Sequence, residues 1–374
     1  MRINLALITF AVLCAMGAIR AGNGRLSISA LARCLPTDGD QKTRFKRLCR
    51  FLANKHVDAE GMVPALVGAA LGTGRRKEKK RFVPVLVDQT DVAGTPTIMA
   101  GVLHRGRVLP IAFTCVEYAT MRRSLNAIET ALLTLIIACL PPGTQAIFTA
   151  DRAYGRYQLI RALNGLNQLY VLRCKSKVVL WQDAKKRFPK EFRAPWSTPV
   201  RYANLRYRKH GKEPVDLIVY RERGFQETWY LLVPAGSEKK LPTDEVVRIY
   251  RSRMRIEQGF RDWKTHLGVR GLKLQRHRAV RMGRLLFALA FAYICLLLMG
   301  SEPSVQAGRL RFETLRRTPR HGTRRTLSVL SHAMLFLASP DTARRAWTLL
   351  LDILDALTRG CPAYQDELAM EDAP

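Results

Sequence analysis

The sequence is poor in acidic residues. It contains 30 Asp and Glu against 62 Lys and Arg, which gives a formal net charge of +32 and a pI near 10.5. This excess exceeds what solubility requires and indicates a polyanionic partner, with nucleic acid favoured over a membrane surface. Basic residues cluster at 75–81, 270–284 and 309–325, so the pattern favours a long path of duplex DNA over a single basic tail.

The sequence also lacks the usual metal-ligand patterns. Its eight cysteines form no C-x-x-C pair, and its seven histidines show no ligand spacing. These absences argue against a structural zinc site. Most of the cysteines have apolar neighbours, which is typical of reduced, buried thiols in a cytoplasmic protein.

No apolar run is long enough to predict a membrane span. The run at 285–300 covers about 16 residues, fewer than the roughly 20 that a bilayer needs, and predicts a helix buried in a large core. The stretch 1–24 has the outline of a signal peptide, with one early arginine and an apolar run. A packed N-terminal helix is the alternative, which we favour because the charge excess requires an intracellular partner.

At 374 residues and 48% hydrophobic, the chain can bury a large core and form two or three domains. Changes of pattern along the chain predict five consecutive regions. They are a helical DNA-binding region at 1–75, the first part of a catalytic core at 76–174, a β-rich insertion at 175–240, the second part of the core at 241–300, and a basic helical region with an acidic tail at 301–374.

The predicted core alternates between strands and helices. The run that starts at residue 82 and ends in Asp88 predicts one strand, and residues 97–118 predict two more that are joined by a turn. An amphipathic helix at 121–140 follows, then a strand that ends in Asp151, a further helix, and a strand at 169–174. This order predicts an α/β fold in which a mixed sheet carries helices on its faces.

Two aspartates lie where buried strands of this sheet are predicted to end. Burying a carboxylate there is costly unless it binds a cation or a hydrogen-bond donor, and both Asp88 and Asp151 occupy such positions. Asp151 also precedes a helix, so capping is an alternative role for it. Asp91 is a rival for the first position, but Asp88 follows Val87 directly off the strand, whereas Asp91 is predicted to lie in the turn.

The segment IYRSRMRIEQGFRDWK, residues 249–264, predicts a helix with one polar face. At about 100° per residue, four side chains of this face fall within an arc of roughly 60°: Tyr250, Arg253, Glu257 and Lys264. An apolar stripe lies roughly 90° away and consists of Ile249, Ile256, Phe260, Trp263 and Leu267. The alternative is that the charges around Glu257 form solvated i,i+4 ion pairs, each worth only about 0.2–0.5 kcal/mol.

Asp88, Asp151 and Glu257 would contribute three carboxylates from three separate elements. Hard oxygen ligands in this number suit Mg²⁺ or Mn²⁺. Two such ions about 4 Å apart can activate water or a 3′-hydroxyl and stabilise the leaving oxygen of a phosphodiester. The cations beside Glu257 would then bind phosphates of the DNA backbone.

The helix resembles the Tyr-x₂-Arg-x₃-Glu-x₆-Lys signature of bacterial insertion-sequence DDE transposases in the insertion-sequence-four group. All four positions match, at Tyr250, Arg253, Glu257 and Lys264. The segments VDQTD and TADRAYG resemble those that carry the family's first and second aspartates, here Asp88 and Asp151. The resemblance covers about residues 80–300, and the long gap before Glu257 fits the β insertion of these transposases.

The resemblance implies a ribonuclease-H-like core, hydrolytic nicking at the ends of an element, and strand transfer by direct attack of a 3′-hydroxyl. It also implies a homodimer on paired ends, with double-stranded DNA as the partner at the terminal inverted repeats and at the target. Family members carry a tryptophan at a similar distance before the signature tyrosine, which implies that Trp229 stacks on a base pulled from the duplex. A core position in a strand is the alternative for Trp229.

Two other functions are compatible with the sequence. A nuclease on the same core would cut DNA without joining it, and an inactive or domesticated copy would only bind DNA. The complete set of three carboxylates argues against the inactive copy, because such a copy is free to lose any of them. We therefore predict a Mg²⁺-dependent transposase that acts in the cytoplasm on the bacterial chromosome.

Overall fold

One mixed sheet of ten strands organises the structure. The structure, a computed structural model, describes residues 9, 11–15, 26–57, 60–72, 81–208, 213–272, 274, 278–318, 323–324 and 326–358. The first five strands are β1 (Arg81–Val92), β2 (Thr95–His104), β3 (Arg107–Cys115), β4 (Thr144–Ala150) and β5 (Leu169–Arg173). Strands β1 to β3 are antiparallel neighbours, and β4 and β5 run parallel to β1 on its other side. Because β1 lies between β2 and β4, its run 83–87 is buried, which is why the sequence there is almost continuously apolar.

The α-helices of the described residues are numbered in chain order. They are α1 (Ile28–Arg33), α2 (Gln41–Ala53), α3 (Val63–Leu71), α4 (Leu125–Cys139), α5 (Tyr157–Gly165), α6 (Thr243–Ser252), α7 (Arg255–Arg261), α8 (Ala279–Ser301), α9 (Pro303–Gln306), α10 (Val329–Ala338) and α11 (Pro340–Thr358).

Helices α4 and α5 connect the parallel strands. Ser124 caps α4, since its Oγ accepts the backbone N–H of Ala127 at 3.2 Å. Helix α4 leads from β3 to β4, and α5 leads from β4 to β5. The predicted order of three strands, helix, strand, helix and strand is confirmed, and with it the mixed α/β class with a ribonuclease-H-like core and helical regions at both ends.

The predicted β-rich insertion joins the same sheet. Its strands are β6 (Leu180–Gln182), β7 (Lys185–Arg187), β8 (Val200–Tyr207), β9 (Glu213–Tyr220) and β10 (Trp229–Pro234). Strand β10 pairs antiparallel with β5, with Leu231 opposite Arg173, and the full order is β3-β2-β1-β4-β5-β10-β9-β8-β6-β7. The insertion therefore continues the sheet from β5, which is the neighbour of β4, the strand that Asp151 follows.

The apolar run at 285–300 lies in α8, which spans 23 residues and contains a window with a mean hydropathy of 2.1. By length and composition this helix could cross a membrane, but 89% of its apolar window is buried inside the fold. Helices α3, α10 and α11 pack around it, together with β3. The prediction of a core helix is confirmed.

Only parts of the two chain ends are described. Residues 11–15 are helical, and Ala11, Val12 and Leu13 belong to the main core, as expected of a packed N-terminal helix. Apart from residue 9, the rest of the predicted N-terminal helix lies outside the described residues. The basic run at 75–80 and the predicted acidic tail lie outside them too.

Candidate active site

Asp88 lies within β1, although the sequence suggested that the strand ends there. Strand β1 pairs with β4 as far as Val87, whereas its pairing with β2 continues to Val92. Asp88 is therefore the first residue beyond the pairing with β4. Asp91 is still in β1, so its predicted place in the turn was wrong, and its Oδ1 accepts the N–H of Gly94 at 2.8 Å to stabilise the hairpin.

Asp151 follows β4 directly and lies beside Asp88. Val87 and Ala150 are register partners in the parallel pair, so the residues after them emerge at the same edge of the sheet. The Oδ1 of Asp151 accepts the N–H of Ala153 at 2.8 Å, which is a turn-capping contact like the alternative considered for it. Capping and proximity to Asp88 therefore occur together.

The segment with the four signature residues is not one regular α-helix. A tightened turn separates α6 from α7, where the N–H of Arg253 donates to the carbonyl of Tyr250 at 3.1 Å, an i→i+3 bond. After α7 the chain widens into a π-helix, Asp262–His266, and the N–H of Leu267 donates to the carbonyl of Asp262 at 2.9 Å. The prediction of a single regular helix over 249–264 was wrong, because a periodicity count does not detect changes in hydrogen-bond spacing.

The predicted apolar stripe is buried at all five positions: Ile249, Ile256, Phe260, Trp263 and Leu267. It packs on two different clusters. Ile249 belongs to a smaller cluster that includes Trp229 and Tyr250, whereas Ile256 and the later members belong to the main core. The turn at Arg253 is where the segment crosses from one cluster to the other.

Arg253 lies between two of the predicted catalytic carboxylates. Its Nη1 is 3.3 Å from Oδ2 of Asp88, and its Nη2 is 2.9 Å from Oε1 of Glu257. The Arg253 side chain is only 9% exposed, whereas that of Glu257 is 51% exposed. A solvated i,i+4 ion pair with Glu257 therefore does not fully describe Arg253, because the same guanidinium also contacts Asp88 on the sheet.

The surroundings of Asp88 raise the pKa of its carboxyl. Burial is the largest cause, and the negative charges of Asp151 and Glu257 act in the same direction. The N–H of Gln89 and the guanidinium of Arg253 oppose this, but the pKa still rises to about 6. The three predicted carboxylates are therefore close enough to interact.

Tyr250 and Trp229 lie against the same side of the site. Burial raises the pKa of the Tyr250 hydroxyl, while the positive charges of Arg253 and Arg173 oppose the rise. Trp229 is 7% exposed, and its ring centroid is 4.9 Å from that of Tyr250. Trp229 therefore occupies a core position, as the alternative to base stacking predicts. To stack on a base, its indole would have to leave this cluster.

Lys264 lies in the π-helix and reaches back to the sheet. Its Nζ donates to the hydroxyl of Thr90, two residues beyond Asp88 on the same strand. Since alternate residues of a strand share a face, Lys264 lies over the face that carries Asp88. It also lines a cavity with Asp91 and Arg270.

The donor chemistry of the site suits a divalent cation. Asp88, Asp151 and Glu257 provide hard oxygen ligands, and their mutual repulsion is the kind that a dication relieves. Among the described residues, however, no three His, Cys, Asp or Glu side chains lie close enough together to bind a metal ion as they stand. The guanidinium of Arg253 occupies the space between two of these carboxylates instead.

Two features beside the site were not anticipated from the sequence. Tyr154 is buried, its hydroxyl has no hydrogen-bond partner among the described residues, and the charges of Asp88 and Asp151 add to the burial that raises its pKa. Asp262 is buried in the π-helix and pairs with Arg107 at 3.1 Å. The motif TADRAYG pointed to the region of Tyr154, but no signal near Asp262 indicated Arg107, which is 155 residues away.

Residues 115–295 match the family model of the transposase DDE domain. This match supports a DDE transposase. The matched range contains Asp151 and the whole segment with the four signature residues, while Asp88 lies before it. No curated protein matches the chain.

Two solved structures show a distant likeness to the chain. The piggyBac transposase, determined by cryo-EM in a synaptic complex with hairpin DNA, is 11% identical, with 99% of this chain and 80% of that one covered at a TM-score of 0.45. Endonuclease V from Bacillus subtilis is 13% identical, with 62% of this chain and 92% of that one covered at a TM-score of 0.26. At these scores neither likeness defines the activity of this chain.

Proposed function

We propose that this protein is a DNA transposase of the insertion-sequence-four group that hydrolyses phosphodiester bonds at the ends of its element and joins those ends to target DNA. The observation that carries the proposal is the grouping of Asp88, Asp151 and Glu257. Asp151 emerges beside Asp88 at one edge of the sheet, and Arg253 bridges Asp88 and Glu257. The match to the transposase DDE domain supports it.

Asp88, Asp151 and Glu257 would hold two Mg²⁺ or Mn²⁺ ions, which supply activation of water or of a 3′-hydroxyl and stabilisation of the leaving oxygen. Without DNA and metal, Arg253 is paired with two of these carboxylates, Asp88 and Glu257. When DNA and metal are bound, its guanidinium turns from the carboxylates to a backbone phosphate, which it can hold through two N–H donors.

The remaining signature residues would position the DNA. Lys264, over the face of β1 that carries Asp88, places an ammonium near a phosphate beside the cleaved bond. Tyr250, between Arg253 and Arg173, contributes a hydroxyl to the same backbone. The partner is double-stranded DNA at the terminal inverted repeats and at the target, bound by a homodimer in the cytoplasm.

Trp229 would stack on a base that leaves the duplex near the cleaved end. Its indole packs between Tyr250 and the exposed Phe225, so it would have to move past Phe225 and out of this cluster to reach a base. The test is Trp229→Phe, which keeps an aromatic core residue but reduces the stacking area. A slower step after the first nick, restored by ends with an abasic nucleotide, is expected. A lower melting temperature without rescue by abasic ends would assign Trp229 to the core alone.

The proposed activity is tested with the purified chain and duplexes that carry the repeats flanking its gene. With Mg²⁺ we expect nicking at the element end, and with a pre-nicked end bearing a 3′-hydroxyl we expect joining to a plasmid. Both products should disappear when EDTA replaces the metal. Nicking without joining would favour the nuclease, and binding without nicking would favour a protein that only binds DNA.

A further inference from the structure

A second basic cavity lies beside the candidate active site. It has a volume of about 550 Å³, and five of its lining side chains are cationic while one is acidic. The cations are Arg152, Arg173, Lys175, Lys177 and Lys190, and the acid is Glu227. These residues come from four separate parts of the chain, so the folded sheet brings their charges together.

The cavity is adjacent to Asp151. Ala150 of β4 is the register partner of Leu172 of β5, so the next residues, Asp151 and Arg173, lie side by side at one edge of the sheet. Neighbouring strands are about 4.8 Å apart. A scissile phosphate held at Asp88 and Asp151 would therefore lie next to the wall of the cavity that Arg173 forms.

Glu227 fills the position in which an anion would bind. Arg173 Nη2 donates to its Oε2 at 2.6 Å, and Arg152 Nη1 lies 3.3 Å from both of its carboxylate oxygens. Two guanidinium groups around one pair of oxygens is also the arrangement that binds a phosphate. The Arg173 side chain is only 18% exposed, whereas that of Glu227 is 56% exposed, so the carboxylate can leave while the arginine stays.

We propose that this cavity binds a backbone phosphate of the DNA strand next to the scissile one, and that Glu227 occupies the place of that phosphate until DNA arrives. This inference rests on the proposed function for the identity of the DNA, but its geometry is independent of Glu257 and the metal. The two arginines share one anion in both states, because the phosphate replaces the carboxylate. Glu227 thus competes with DNA for these arginines and lowers the affinity for any duplex that reaches this cavity.

The test compares two variants that each lose one negative charge from the insertion. Glu227→Gln leaves both arginines available, so we expect several-fold tighter binding to duplex DNA and a slope of log affinity against log salt that is steeper by about one. Glu222→Gln is the matched control, since Glu222 is held by Arg251 at 2.8 Å and does not line the cavity. The control should leave the slope unchanged.

Loss of a positive charge from the cavity should change the salt slope in the opposite direction. Lys177→Ala should reduce the slope by about one, whereas Lys239→Ala, an exposed lysine that does not line the cavity, should not. Equal affinities and equal slopes for Glu227→Gln and Glu222→Gln would overturn the proposal. Nicking is measured separately on the wild type, so a failure of the proposed activity and a failure of the phosphate site appear in different readouts.

Discussion

Two buried aspartates of this protein, Asp88 and Asp262, are each paired with an arginine, yet their surroundings differ. Asp262 is 2% exposed and accepts from Arg107 at 3.1 Å and from the hydroxyl of Tyr293 at 2.9 Å. Asp88 is 17% exposed and accepts from Arg253 at 3.3 Å. The first carboxylate is enclosed by its own donors, whereas the second faces the edge of the sheet.

The two regions also differ in their balance of charge. Burial raises the pKa of both carboxyls, but around Asp262 the other charges are cationic and oppose the rise. Around Asp88 the charges of Asp151 and Glu257 add to it, and Arg253 is shared between Asp88 and Glu257. In a chain with a net charge of +32, this local excess of carboxylates supports our proposal that the site takes up a divalent cation.

The largest expected effect is the loss of catalysis when Glu257, the exposed carboxylate near Asp88, is replaced. Glu257→Gln keeps the shape of the side chain but removes a charge needed to hold a metal ion, so nicking should fall by several orders of magnitude while DNA binding persists. Gel assays of nicking and binding check both parts. Substantial Mg²⁺-dependent cleavage by this variant would show that Glu257 is not a metal ligand.

A matched pair on β1 sharpens this result. Asp88→Asn should abolish nicking, whereas Asp91→Asn should do far less, because Asp91 serves the hairpin turn through Gly94. The opposite ranking would move the first catalytic aspartate from Asp88 to Asp91.

The second effect is on stability and belongs to the Asp262 region. Asp262→Ala leaves Arg107 and Tyr293 without their shared acceptor, so the free energy of unfolding should fall by about 3–5 kcal/mol. Thermal and urea unfolding measure it. Asp88→Asn is the control, and its stability at pH 7 should equal or exceed that of the wild type. An equal loss of unfolding free energy in both variants would show that Asp88 and Asp262 stabilise the fold to the same extent.

The third effect is a pH dependence of stability in the metal-free protein. The pKa of Asp88 is about 6 in the folded protein and 3.8 without its surroundings, so the folded state binds this proton more tightly than the unfolded state. Stability should therefore increase by up to about 3 kcal/mol as the pH falls from about 6 to about 4, and decrease as it rises through the same window. Asp88→Asn should lack this contribution, and identical pH profiles for the two proteins would refute it.

The smallest effect concerns Lys264, which lies in the π-helix beside Asp262 and reaches over the strand of Asp88. Lys264→Ala should weaken DNA binding equally for all sequences and reduce the salt slope by about one. Arg345→Ala on α11 is a control for the loss of one exposed charge. An unchanged slope with full activity would make Lys264 a solvated side chain.

The sequence predicts the Asp88 region far better than the Asp262 region. Apolar runs are local patterns, so they were sufficient to place Asp88 and Asp151 at the ends of buried runs, and the sheet then brings these ends together. The i,i+4 pair of Arg253 and Glu257 was also predictable from its spacing. Tyr250, predicted on the same polar face, is instead buried in the apolar cluster that contains Trp229.

The Asp262 region depends on partners that are distant in the chain. Arg107 lies on β3 and Tyr293 on α8, and neither position carries a pattern that names its partner. The π-helix begins at Asp262, and the periodicity of the sequence does not show its wider hydrogen-bond spacing. The clamp on Glu227 was missed for the same reason, because Arg173 lies 54 residues before it.

The two edges of the ten-stranded sheet are protected from self-association by different means. At one edge, helices α3, α7 and α8 pack against β3. At the other, β7 is only three residues long and consists of Lys185, Lys186 and Arg187. A short strand of like charges repels an identical strand from another copy, so growth of the sheet by edge-to-edge pairing is disfavoured there. For the homodimer that we propose on DNA, we therefore expect contacts through helices or loops instead of a sheet continued from one copy into the other.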